Sequence, residues 1–111
     1  MLNKYSFIDC NAKFEDSKKV IIGAPFDGTV SYRPGTRFAP SAIRLDSQEI
    51  ETYSPYQDDD LTNHQICDLG DLCLPIGNTD AVLTMIENEM TNIFASKKKP
   101  VLIGGEHLIT L

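Results

Sequence analysis

The feature that most constrains the fold is an unbroken apolar run at residues 20–24, Val-Ile-Ile-Gly-Ala. Its side chains do not alternate between apolar and polar, which is typical of a strand that is buried on both faces of a parallel sheet. The whole sequence has 111 residues, a length that suits one domain. We therefore expect the remaining elements to cover this strand on both sides.

Two further apolar segments predict strands, at residues 65–69 and 101–103, and a helix is predicted before each of them. Pro40 opens the first helix, because proline fits the first helical turn. Asn78 or Thr79 caps the second helix, whose apolar side chains recur at helical spacing. Strands that alternate with helices in this way favour an α/β fold with a parallel sheet and right-handed crossovers.

The composition excludes several classes of partner. Ten Lys and Arg residues stand against sixteen Asp and Glu residues, a formal net charge of −6, which makes a poor electrostatic partner for nucleic acid or anionic lipid. No apolar stretch approaches the roughly 20 residues that span a bilayer, and the first residues lack the apolar segment of a secretory signal. The three cysteines show no Cys-x-x-Cys spacing, which argues against a disulfide framework or a thiolate zinc site. We therefore expect a cytoplasmic protein with no nucleic-acid or membrane partner.

Several charged residues away from the strand ends are interpreted as structural. The Asp58–Asp60 run predicts a solvated loop, because adjacent like charges prefer water, and His64 nearby is expected to be exposed. Arg44, on the first helix, is expected to pair with carboxylates of loops. Lys97–Lys99 are expected to complement the negative end of the second helix, which Pro100 ends.

The segment between the first strand and the first helix, residues 25–37, is rich in glycine and proline and predicts a long structured loop. Its two arginines, Arg33 and Arg37, could bind an anion. However, neither Gly-x-Gly-x-x-Gly nor Gly-x-x-x-x-Gly-Lys occurs in the sequence, so the common nucleotide-binding motifs are absent. Packing of the loop, for example at a subunit contact, is the alternative role.

The candidate site lies where the predicted strands end. Ligands of open parallel sheets bind just outside the carboxyl ends of the strands, and Asp27, Asp71, Glu106 and His107 follow those ends. Carboxylates with an imidazole suit a divalent metal such as manganese. His107 is either a metal ligand or a residue that caps the following helix. Asp71 and Glu106 either orient a ligating imidazole through hydrogen bonds or make caps and salt bridges at the strand ends.

The third predicted strand is followed by Gly104–His107 and then by only four more residues. A parallel strand is normally followed by a crossover helix and covered on both faces, and domain ends usually lie in polar sequence at the surface. We therefore expect this chain to be the N-terminal part of a longer protein. A complete three-stranded domain is the alternative.

Four segments, taken in order, resemble the signature of the ureohydrolases, the family of arginases and agmatinases. Residues 22–29 and 33–44 resemble the family's N-terminal signature, residues 68–71 match Asp-x-Gly-Asp, and residues 104–107 match Gly-Gly-Asp/Glu-His. These segments cover nearly the whole chain. Their Pro-Phe-Asp-Gly-Thr and Gly-Gly-Glu-His sequences look most like those of agmatinases.

The resemblance implies a three-layer arginase-like α/β fold with a mostly parallel eight-stranded sheet. Residues 1–111 would be its N-terminal β-α-β-α-β portion, within a single domain. The family binds two manganese ions with a hydroxide between them, which attacks the guanidinium carbon and releases urea. By resemblance, His107 has the role of the family's first metal ligand, and Glu106 and Asp71 are candidates for orienting the ligands. The family's other ligands lie in motifs beyond Leu111.

The resemblance also implies a substrate and an assembly. The substrate would be a small cationic guanidino compound, and an agmatinase converts agmatine to putrescine and urea, a step of polyamine biosynthesis. A homo-oligomer, trimer or hexamer, is expected, and residues 1–111 alone are expected to be inactive. The alternatives are an arginase or another guanidino-acid hydrolase, and a non-catalytic binding or regulatory module of the same fold.

Overall fold

The structure, a computed structural model, describes residues 5–111. Within that range it contains a three-stranded sheet, a separate two-stranded pair and two α-helices. In chain order these elements are β1 (Lys19–Ala24), α1 (Ala39–Ser47), β2 (Tyr53–Ser54), β3 (Asp59–Asp60), β4 (Ile66–Asp71), α2 (Thr79–Ala95) and β5 (Lys99–Gly104).

Strand β1 is the centre of the three-stranded sheet, with β4 on one side and β5 on the other. Both neighbours run parallel to β1. Val20, Ile22 and Ala24 have no exposed surface, as the unbroken apolar run requires. The predictions of an α/β fold and of a parallel sheet are therefore confirmed.

The two helices cover opposite faces of the sheet. Val82, Ile86 and Ile93 of α2 belong to the same core cluster as the even-numbered side chains of β1. The odd-numbered side chains of a strand point the other way, and on that face α1 approaches so closely that a Cβ at Gly23 would lie 3.1 Å from the Cβ of Pro40. The result is a helix–sheet–helix arrangement around a central strand.

Helix α2 begins where its sequence predicts. The side-chain oxygen of Asn78 accepts a hydrogen bond of 3.0 Å from the backbone N–H of Ala81, so Asn78, rather than Thr79, is the cap. Within residues 5–111, no helix is long and apolar enough to cross a membrane.

The end of α2 differs from the prediction. The helix ends at Ala95, and Pro100 lies inside β5 instead of ending the helix. Lys97 has a left-handed backbone conformation, with φ of 60°, and the ammonium of Lys98 donates a 2.6 Å hydrogen bond to the carbonyl of Ser17. The predicted placement of the lysines at the last helical turn is therefore wrong, because the chain has already turned into the next strand.

The polar stretch around the aspartate run is more ordered than a solvated loop. β2 and β3 form an antiparallel pair in which Tyr53 lies opposite Asp60. His64 Nε2 lies 2.6 Å from Asp59 Oδ2, and this hydrogen bond is the main reason that the pKa of Asp59 falls to about 2. His64 is therefore part of an ion-pair geometry rather than simply exposed.

The cysteines should differ sharply in reactivity. Cys10 and Cys67 are buried, whereas Cys73 is exposed. Burial, followed by the nearby charge of Asp68, raises the pKa of Cys10 to about 11 and also raises the pKa of Cys67. Because the thiolate is the reactive form, iodoacetamide should alkylate Cys73 first in the native protein at pH 8.

Peptide mass mapping after timed alkylation measures this order. Guanidinium-unfolded protein is the control, in which all three thiols should react at similar rates. Labelling of Cys10 as fast as Cys73 in the native state would contradict the burial described above.

Candidate functional site

The carboxyl ends of β1 and β5 lie very close together at the glycine pair, Gly104 and Gly105. The backbone N–H of Glu106 donates a 2.9 Å hydrogen bond to the carbonyl of Phe26. Gly105 has φ of 86°, and a Cβ there would lie only 2.7 Å from the carbonyl oxygen of Ala24, so glycine alone fits. This close approach places His107 beside the end of the central strand.

His107 begins a short 3₁₀ turn, His107–Thr110, and its side chain is exposed. Among residues 5–111, no hydrogen bond to either of its ring nitrogens is found, so the ring does not cap the turn. The residue lines a cavity of about 810 Å³ together with the loop that follows β1. The imidazole is therefore free to bind a metal or a ligand that enters the cavity.

Glu106, the neighbouring residue, is already engaged. One carboxylate oxygen accepts a 3.0 Å hydrogen bond from the backbone N–H of Thr29, and the other contacts the Thr29 hydroxyl. The hydrogen bonds of this carboxylate thus go to the loop after β1. Within the described residues, none joins it to the ring of His107.

Asp71, the other candidate for orienting ligands, belongs to a buried ion cluster. Arg44 donates from Nε and Nη2 to Asp68, at 2.9 and 3.0 Å, and from Nη1 to one oxygen of Asp71. The arginine and Asp68 side chains are completely buried, and the Asp71 side chain is 11% exposed. The expectation that Arg44 pairs with loop carboxylates is wrong, because its partners lie on β4.

The electrostatics of this cluster favour the charged state of the arginine. Burial by itself would lower the pKa of Arg44, but hydrogen bonds and charge from Asp68 and Asp71 outweigh it, so the pKa is raised. A Cβ at Gly23 would collide with the Asp71 carboxylate. The missing side chain at Gly23 therefore makes room for the ion pair between α1 and the sheet.

Asp27 organises the loop between β1 and α1. Its carboxylate accepts hydrogen bonds from the backbone N–H groups of Gly35, at 2.7 Å, and Arg37, at 3.3 Å, and it pairs with the Arg37 guanidinium at 3.2 Å. Burial opposes ionisation, but these contacts together lower the pKa of Asp27. Arg37 is thus paired with a carboxylate, and Arg33 stacks on Tyr32.

Sequence reasoning placed Asp27 at the site edge but gave it no role. Its hydrogen-bond donors are eight and ten residues away in the same loop, and no regular spacing in the sequence predicts such contacts. The signal that was available is the dense glycine and proline content of the loop, which indicates a fixed conformation.

The described residues supply part of a metal site at most. No group of three His, Cys, Asp or Glu side chains within residues 5–111 is placed to hold a metal ion. A free imidazole on a cavity wall is a suitable nitrogen donor for a divalent transition metal. The imidazole of His107 thus has the chemistry of a metal ligand, but the described residues do not form a complete metal site around it.

Most of the chain is similar to known proteins. Residues 17–111 match the arginase family. An agmatinase from Bacillus cereus is 47% identical over 104 residues, which cover 94% of this chain and 36% of that protein.

Two solved structures share the fold. The agmatine ureohydrolase of Thermoplasma volcanium matches with a TM-score of 0.90 and 32% identity, over 99% of this chain and 37% of that one. A Trypanosoma cruzi formiminoglutamase with Mn2+ matches with a TM-score of 0.75 and 25% identity, over 88% of this chain and 34% of that one. The chain spans about a third of the length of these relatives. It belongs to the arginase family and has the α/β fold of that family.

Proposed function

We propose that residues 1–111 are the N-terminal portion of a single ureohydrolase domain, and that the full-length protein hydrolyses the guanidino group of agmatine to give putrescine and urea. The observation that carries this proposal is the 47% identity to an agmatinase over nearly the whole chain. The free imidazole of His107 on the wall of a cavity at the strand ends supports it.

We assign His107 the role of one manganese ligand. Two bound manganese ions would lower the pKa of a water molecule and orient it toward the guanidinium carbon. In this proposal the residues of this chain position the imidazole. They do so through the close approach at the glycine pair and the hydrogen bond from the backbone N–H of Glu106 to the carbonyl of Phe26. The solved formiminoglutamase with Mn2+ supports manganese as the metal.

The same proposal extends to the charge of the substrate, the assembly of the protein and its location in the cell. A net charge of −6 favours the approach of a small cation over that of an anion. We propose a cytoplasmic homo-oligomer, a trimer or hexamer, without nucleic-acid or membrane partners. Asp71 and Glu106 support the site indirectly, since their carboxylates bind Arg44 and Thr29.

Urea release tests the proposed reaction. The purified full-length protein, loaded with Mn2+, is assayed with agmatine, arginine and guanidinobutyrate, and a chelator-treated sample is the control. We expect kcat/KM for agmatine to exceed the values for arginine and guanidinobutyrate by about tenfold or more. A site that accepts the ammonium tail of agmatine would leave the carboxylate of either competitor without a partner. A preference for arginine or guanidinobutyrate would indicate a guanidino-acid hydrolase. No urea from any of the three would favour a non-catalytic module.

A further inference from the structure

The loop after β1 is held at both of its ends by carboxylates. We call residues 29–35 the arch. At its first end, Thr29 is bound by both oxygens of Glu106. At its second end, the N–H of Gly35 donates a 2.7 Å hydrogen bond to Asp27. Asp27 lies three residues after the end of β1, and Glu106 lies two residues after the end of β5, so both attachments are close to the carboxyl ends of the strands.

The middle of the arch stands clear of these attachments. Tyr32 is 77% exposed and lines the same cavity as His107. The guanidinium carbon of Arg33 lies 5.3 Å from the centre of the Tyr32 ring, within the distance at which an aromatic face attracts a cation. The Arg33 guanidinium therefore covers one face of the ring, and the high exposure of Tyr32 leaves the rest of the ring accessible from the cavity.

We propose that the arch is the wall of the cavity that recognises the substrate. Tyr32 contacts the substrate, and the contact between Thr29 and Glu106 positions the arch. This inference rests on the proposed function, since it takes the ligand to be a cationic guanidino compound. It assigns Glu106 to substrate binding through the arch rather than to the metal through His107. The consequence is a separation of effects, in which changes in the arch alter substrate affinity and leave metal binding intact.

Tyr32 variants test the contact. In the manganese-loaded full-length protein, Tyr32→Ala should raise the Kd and KM for agmatine about three- to tenfold. The value of kcat and the manganese content should stay at the wild-type level. Tyr32→Phe, which retains the aromatic face, should behave like the wild type. Tyr56→Ala is the matched control, because Tyr56 is fully exposed and lies outside the cavity.

Thr29 variants test the positioning. Thr29→Val removes the hydroxyl that contacts Glu106 and should raise KM for agmatine in the same direction as Tyr32→Ala, whereas Thr29→Ser should restore it. Manganese content, measured by elemental analysis, should not change in either variant. A fall in manganese content in Thr29→Val would overturn the inference, because it would make Glu106 a support for the metal site.

Agmatine binding by calorimetry separates this inference from the proposed reaction. If the wild type releases no urea but binds agmatine more tightly than Tyr32→Ala does, the result would support the arch and refute the hydrolase. Urea release with equal agmatine affinity in wild type and Tyr32→Ala would refute the arch and keep the hydrolase.

Discussion

Replacing His107 with alanine in the full-length protein should lower manganese affinity and urea release together. Losing a residue that merely orients a ligand typically costs about 10- to 100-fold in metal affinity. Losing a ligand itself should therefore cost at least about 100-fold. The ring has no hydrogen-bond partner within the described residues, so its removal should leave the free energy of unfolding of the metal-free protein nearly unchanged.

The other histidine provides the control for this experiment. The sequence contains two histidines, and His64 pairs with Asp59 before the amino end of β4, away from the site edge. His64→Ala should keep the manganese content and rate of the wild type, as measured by elemental analysis and urea release. Equal metal content and equal rate in His107→Ala and the wild type would contradict the assignment of His107 as a ligand.

The largest effect on stability should come from Arg44→Met. The change leaves Asp68 and Asp71 buried without their cation, and breaking a buried ion pair in this way typically costs about 3–5 kcal/mol. Methionine fills a similar volume, so the loss reports the charge rather than a cavity. Denaturant unfolding, followed by circular dichroism at matched protein concentration, measures the free energy of unfolding.

Two other variants calibrate that result. Arg37→Met breaks an ion pair whose arginine side chain is 48% exposed, so it should cost less than about 1 kcal/mol. Arg44→Lys keeps the charge but lacks the forked geometry that reaches both carboxylates, and should fall between Arg44→Met and the wild type. Similar decreases in the free energy of unfolding in Arg37→Met and Arg44→Met would show that the buried ion cluster stabilises the fold no more than the exposed ion pair does.

The parts of the fold that are set by local sequence could be predicted. The run at residues 20–24 identifies a strand that is buried on both faces, because no polar side chain interrupts it. Asn78 identifies the start of α2, because its side chain bonds a backbone group only three residues away. The order of elements then follows from the alternation of such local signals.

The contacts that join distant segments could not be predicted. Arg44 meets Asp68 and Asp71 across 24 and 27 residues of sequence, and only the packing of α1 on the sheet brings them together. Lys98 bonds Ser17 across 81 residues, which draws it away from the helix end. Glu106 reaches Thr29 for the same reason, across 77 residues. Spacing in the sequence gives no information on such pairs.

The position of His107 was easier to anticipate than its environment. Its place after a predicted parallel strand puts it at the carboxyl edge. The cavity in front of it depends on the arch, whose shape depends on Asp27 and Glu106. The sequence places those two carboxylates at the strand ends, but their partners Gly35 and Thr29 emerge only from the three-dimensional contacts.

The most direct test is crystallographic. Crystals of the full-length protein grown with Mn2+ should show a peak of anomalous scattering at the manganese edge, at bonding distance from a ring nitrogen of His107 in the cavity beside the arch. A manganese peak bound elsewhere, with the His107 ring turned into solvent and contacting no metal, would contradict the account.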